Sequence, residues 1–107
     1  MRAGRLTCTG LVGQYLKRIE AYDKNGPAIN SIITINPDAD KQAEPDRRFA
    51  QSGLTGPLHC VPMIVKDNFE IAGLQTSDGA PALKGYIPGQ DAFLVKRDKD
   101  AGAIVLA

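Results

Sequence analysis

Val61-Pro62-Met63-Ile64-Val65-Lys66-Asp67-Asn68 sets an unbroken apolar run in front of a charged, turn-prone end. Short apolar runs of this kind suit strands covered on both faces, as in a parallel sheet. Pro62 is tolerated near such a strand's start. A second run, Ala103-Ile104-Val105-Leu106, follows a helix-like segment from Asp91 to about Ala101. Asp91 can cap that helix, Phe93, Leu94 and Val95 form its apolar face, and Gly102 ends it. Strand, helix, strand predicts two parallel neighbours, 61–65 and 103–106, joined by a right-handed crossover. The expected class is α/β, with helices packed on a mixed or parallel sheet.

Upstream, Leu11, Val12, Tyr15, Leu16 and Ile19 repeat at the spacing of one helical face and predict a helix from about Thr9 to Tyr22. Thr7 or Thr9 can cap it, Lys17 and Arg18 suit its C-terminal end, and Asn25-Gly26-Pro27 is turn chemistry that stops it. Ile29 to Ile35 is β-branched and bounded by turn residues, so it reads as a strand. Asn36 and Pro37 then read as the cap and first residue of a solvated helix running to about Gln51, interrupted by Pro45. Segments 52–57 and 82–89 read as loops.

Composition narrows the function classes. The 107 residues hold 13 basic and 12 acidic side chains, a net charge of +1, with the two signs interspersed. That is no footprint for nucleic acid or anionic lipid. No apolar run reaches the roughly 20 residues of a membrane span. The basic N-terminus lacks the apolar segment of a secretory signal, so a cytoplasmic location is expected. Cys8 and Cys60 are far apart and fit no metal-ligand or CxxC spacing. Two reduced thiols are expected, with a single disulfide as the alternative. No metal site and no cofactor is expected, since there is no ligand cluster, P-loop or dinucleotide glycine pattern.

Lys66 is the leading candidate for chemistry. Open α/β sheets place ligands beyond the carboxyl ends of their strands. A lysine held against a buried strand loses solvation, which lowers its pKa and can leave a neutral amine able to accept a proton. Asp67 and Asn68 can fix the local turn. His59 and Cys60 are adjacent, and in a strand adjacent side chains point to opposite faces, so they should not meet as a nucleophilic pair. Thr76 and Ser77 carry hydroxyls but read as turn residues.

The stretch Gly56 to Asn68, GPLHCVPMIVKDN, resembles the amidase-signature pattern that usually reads GPLHGIPxxVKDN. The flanks agree. Arg18-Ile19-Glu20-Ala21-Tyr22-Asp23 is similar to the family's N-terminal helix ending, and Ile29-Asn30-Ser31-Ile32-Ile33 to its LNA(I/V)I strand. Asp91 to Arg97 and Ala101 to Ala107 are similar to its DAxxVxRLRxAGAIxLGKTN segment. The resemblance implies a partial amidase-signature fold, with residues 1–107 the N-terminal part of one amidase domain and the sheet incomplete at the C-terminal end. It implies hydrolysis of small carboxylic amides by a Ser–Ser–Lys triad, with Lys66 the base that finally receives the nucleophile's proton. The two serines fall beyond Ala107, so this chain alone is expected to be an inactive fragment. The alternatives are a non-catalytic fragment that binds a partner or itself through an open sheet edge, and the A-type subunit of a tRNA-dependent amidotransferase. Three positions depart from the pattern. Cys60 stands for Gly, Ala80 for Ser and Asp98 for Leu. Asp98 falls on the face of Leu94 and Val95, so burial there would be costly, and Asp98→Leu is expected to raise the melting temperature.

Overall fold

The computed structural model describes residues 5–43 and 56–107. Helix α1 spans Cys8–Arg18 and continues as a π-helical turn over Ile19–Lys24. Thr7 is the cap: its Oγ1 accepts the Gly10 N–H at 3.0 Å, satisfying a donor the first turn leaves free. Val12 and Ile19 of the expected apolar face are buried, and Leu16 packs against the core that holds Val12. Tyr15 is exposed. The turn at Asn25-Gly26 ends the element, with the Asn25 N–H on Glu20 O at 3.0 Å.

The expected strand at 29–35 does not join the sheet. Ala28 and Asn30 both take positive φ, which breaks an extended run. The segment is held instead by the buried Asp23, whose carboxylate accepts the Ser31 N–H and hydroxyl, both at 2.6 Å, and the Ile32 N–H. Ile32 is buried, whereas Ile29, Ile33 and Ile35 are exposed. The segment touches the sheet at its end, where the Asn36 N–H donates to Leu106 O and the Asn36 side chain to Val105 O, both at 2.8 Å. Asn36 Oδ1 also accepts the Asp38 N–H at 3.0 Å, leading into the short α2, Ala39–Gln42. The rest of the expected helix, including Pro45, lies outside the described residues.

The parallel pairing is as expected. β1 (Pro62–Met63) lies beside β2 (Ile104–Val105), with Pro62 opposite Ile104 and Met63 opposite Val105. The bonds Ile104 N–H to Val61 O, Leu106 N–H to Met63 O and Val65 N–H to Ala107 O, at 2.8–2.9 Å, carry the ladder past both ends. Alternation along β2 builds two cores. Ile104 and Leu106 pack with Cys8, Val12, Ala39, Ala43 and Cys60 on one side. Val105 packs with Ile71, Leu74 and Val95 on the other. The sheet is thus a layer between α1 and α2 on one face and α3 (Phe93–Asp100) on the other. β1 is less covered than β2: Pro62 and Met63 are half-buried, and the flanking Val61 and Ile64 are exposed.

Three further expectations need correction. α3 is capped by Ala92 without a side-chain bond, because Asp91 is engaged elsewhere, by the Ala72 N–H at 2.9 Å and Lys99 Nζ at 2.6 Å. Burial raises the Asp91 carboxyl, but the Lys99 ammonium and the Ala72 N–H outweigh it and hold the group below its usual range. Of the expected apolar face only Val95 is buried, with Phe93 73% and Leu94 53% exposed. Asp98 is exposed too, so the burial cost expected of it does not arise. The helix stops in a Schellman arrangement, with Gly102 at φ +101°, its N–H on Lys99 O and the Ala103 N–H on Asp98 O.

Gly56 marks the closest backbone approach. A Cβ there would lie 2.2 Å from Ala101 O. The contact lets Leu58 N–H reach Ala101 O and Cys60 N–H reach Gly102 O, both at 2.9 Å, which locks the entry to β1 onto the end of α3.

Cys8 and Cys60 form a disulfide, with Cα atoms 5.5 Å apart and a sequence separation of 52. This replaces the expected pair of reduced thiols. The spacing gave no hint of it, because α1 folds back over the start of β1 and brings the two together.

Candidate active site

Lys66 follows the last ladder residue of β1. The Val65 bond to Ala107 fixes the backbone immediately before it, and the Phe69 N–H on Lys66 O at 2.9 Å turns the chain immediately after. The lysine is therefore delivered at the carboxyl end of a parallel strand, where α/β sheets carry their ligands. It lines a cleft of about 420 Å³. Ser31 to Thr34 contribute to the same cleft, as do Ile64, Phe69, Ile71, Leu74, Thr76 and Ala107. Ile33 and Ile64, both on this lining, are well exposed, so much of the wall is apolar.

Lys66 itself is exposed, so the desolvation expected of it is absent among the described residues. Nor does any hydrogen bond or ion pair among those residues engage its Nζ. The group is positioned by its backbone and left open at the side chain.

Asp67 does not fix its own turn but clamps the loop across the cleft. Oδ1 accepts the Ser77 N–H at 3.0 Å and Oδ2 the Ser77 hydroxyl at 2.5 Å, while Asp67 O accepts the Asp78 N–H at 3.2 Å. The Ser77 hydroxyl and N–H hold the Asp67 carboxyl below the usual range. Asp78 and Gly79, both at positive φ, complete this loop and line the cleft. Ser77 is thus a loop-fixing hydroxyl, in line with the turn reading. Asp67 as the clamp was missed in the sequence, because its partner lies ten residues downstream and only the folded loop joins them.

His59 and Cys60 do meet, against expectation: His59 Nε2 lies 3.4 Å from Cys60 Sγ. They sit in a turn, not a strand, and Cys60 has φ +58°. Strand alternation therefore does not apply. The sulfur is consumed in the disulfide, so the pair offers no Cys/His nucleophile. Both residues are buried, and Cys60 packs in the core against α1. Among the described residues no group of three or more His, Cys, Asp or Glu side chains could hold a metal ion, and no helix is long and apolar enough to cross a membrane.

The sequence model of the family described as Amidase matches residues 10–107. A putative amidase of Schizosaccharomyces pombe is 41% identical over 98% of this chain and 18% of its own length. The A subunit of the glutamyl-tRNA(Gln) amidotransferase of Exiguobacterium sp. is 35% identical over 99% of this chain and 21% of its own. Among solved structures, the native peptide amidase of Stenotrophomonas maltophilia superposes with a TM-score of 0.92 and 48% identity, over 98% of this chain and 22% of that one. The chain spans about a fifth of the length of the relatives it matches.

Proposed function

The chain belongs to the amidase family, and from that premise we propose that it supplies the general base of a carboxylic-amide hydrolase, with Lys66 as that base. One observation carries the reading. Lys66 stands within the GPLHCVPMIVKDN stretch, just past the carboxyl end of β1, on an open cleft, with its amine unengaged among the described residues. In the parent chemistry a serine hydroxyl attacks the amide carbonyl. Its proton passes through a second serine to the neutral lysine amine and is later returned to the departing amine. Both serines lie outside this sequence, so residues 1–107 are proposed as the N-terminal part of one amidase domain, inactive alone. The exposed Ile33 and Ile64, which share the lining of the cleft beside Lys66, support this, because exposed apolar surface gathered in one place marks an interface. On this reading the sheet continues beyond β2, and the substrate is a small amide that reaches the cleft beside Lys66.

Matches to amidotransferase A subunits support a second reading, in which the amide is glutamine and the ammonia released is passed on within a complex. Among the described residues β1 pairs only with β2, and the edge this leaves supports self-association as the non-catalytic alternative. For location, the Cys8–Cys60 bond favours an oxidising compartment over the cytoplasm expected from the sequence, since cytosolic thiols are kept reduced.

The test is to join this chain to the four-fifths of the Stenotrophomonas maltophilia peptide amidase that it does not match, and to assay a peptide amide and glutamine side by side. The chain alone is expected to turn over neither, and the joined protein to release ammonia from the peptide amide. Turnover by the chain alone would contradict the fragment reading. Preference for glutamine would favour the amidotransferase reading.

A further inference from the structure

Position 60 combines three features. Its φ of +58° is one that a side chain disfavours and glycine adopts freely. Its sulfur is bonded to Cys8, the first residue of α1, and both cysteines are buried. Its own N–H is held by Gly102 O, and the next residue's carbonyl accepts the Ile104 N–H, the first bond of the ladder that ends one residue before Lys66. A strained turn, a covalent tether and the start of the lysine's strand therefore meet at one residue.

We propose that the Cys8–Cys60 disulfide is a redox-sensitive positioning clamp for the strand that carries Lys66. Oxidised, the bond holds residue 60 in the left-handed turn that glycine would otherwise have to supply. Reduced, residue 60 keeps its N–H bond to Gly102 O but loses the covalent tether that opposes the strain of a side chain at this φ, so the turn relaxes and the ladder from Val61 to Val65 loosens with it. The reductant is a dithiol. One of its thiolates attacks a cystine sulfur and displaces the other cysteine as thiolate. Its second sulfur then closes on the first, leaving the dithiol as a cyclic disulfide and Cys8 and Cys60 as two protonated thiols. The importance of the clamp for catalysis rests on the role proposed for Lys66, but the clamp itself is tested without any activity.

The experiment is amide hydrogen exchange by NMR on this chain, oxidised and after dithiothreitol, read at residue 60, Val65 and Ile104 with Thr76 as reference. The Thr76 N–H bonds to Tyr86 O, away from the turn. Reduction is expected to speed the three amides at least about tenfold more than Thr76, as a local opening would. Equal acceleration everywhere, or none, would overturn the clamp. A cross-link-free pair separates the dihedral from the tether. C8A/C60G is expected to keep the three amides protected relative to Thr76 and to ignore dithiothreitol, whereas C8A/C60A exchanges like the reduced protein. If both variants exchange alike, the bond is only a tether and the proposal fails. If C8A/C60A does not fold, the reduced wild type and C8A/C60G decide the question by the same comparison.

Discussion

Breaking the cross-link should cost this chain much of its stability. The bond closes a loop of 52 residues, and in the chain-entropy treatment a loop of that size restricts the unfolded state by about 4 kcal/mol. A domain of this length is stable by only about 5–15 kcal/mol in total, and a chain with exposed Phe93, Leu94, Ile33 and Ile64 belongs at the low end. The assay is urea unfolding followed by circular dichroism, with and without dithiothreitol. For a slope of about 2 kcal/mol/M the midpoint should fall by roughly 2 M. Alkylation and mass spectrometry of the untreated protein should find no free thiol. An unchanged midpoint, or two alkylated cysteines before reduction, would refute the reasoning.

Three other perturbations follow from particular contacts. Gly56→Ala puts a Cβ against Ala101 O and should destabilise by about 2 kcal/mol or more, read as a lower thermal midpoint; an unchanged midpoint would mean the two backbones separate easily. Asp98→Leu should leave the midpoint within about 0.5 kcal/mol of wild type because Asp98 is exposed, and clear stabilisation would show that this face is covered after all. Asp23, held at about 2 mainly by the Ser31 hydroxyl, has a folded-state pKa below its unfolded value. Its contribution is therefore present above pH 3.8 and lost as pH falls through about 2, so Asp23→Asn should flatten the acid limb of a stability-versus-pH curve, whereas identical limbs would remove Asp23 from the account.

What could be read from the residues alone follows the range of the forces involved. Local signals were legible: the Thr7 cap, the Asn25-Gly26 stop, the Gly102 terminator and the two apolar runs that pair in parallel. The candidate lysine was legible only through the thirteen residues around it, because an exposed lysine has no local mark of function. The errors lie where distant residues decide. The 29–35 segment has strand composition, but the Asp23 carboxylate and the turns at Ala28 and Asn30 claim its backbone. Asp91 reads as a helix cap until Lys99 and Ala72 take its carboxylate. Cys8 and Cys60 reveal their bond only once α1 has packed over β1. Helical periodicity puts Leu94 inside, yet about half of its surface stays exposed.

The assignment of Lys66 is tested most directly by kcat/KM for amide hydrolysis in the joined protein, with Lys66 and with Lys66→Ala, after circular dichroism has shown both to be folded. Loss of the base should lower the value by about 100-fold or more, as removal of a general base does. Undiminished turnover by the folded Lys66→Ala protein would contradict the role assigned to this residue.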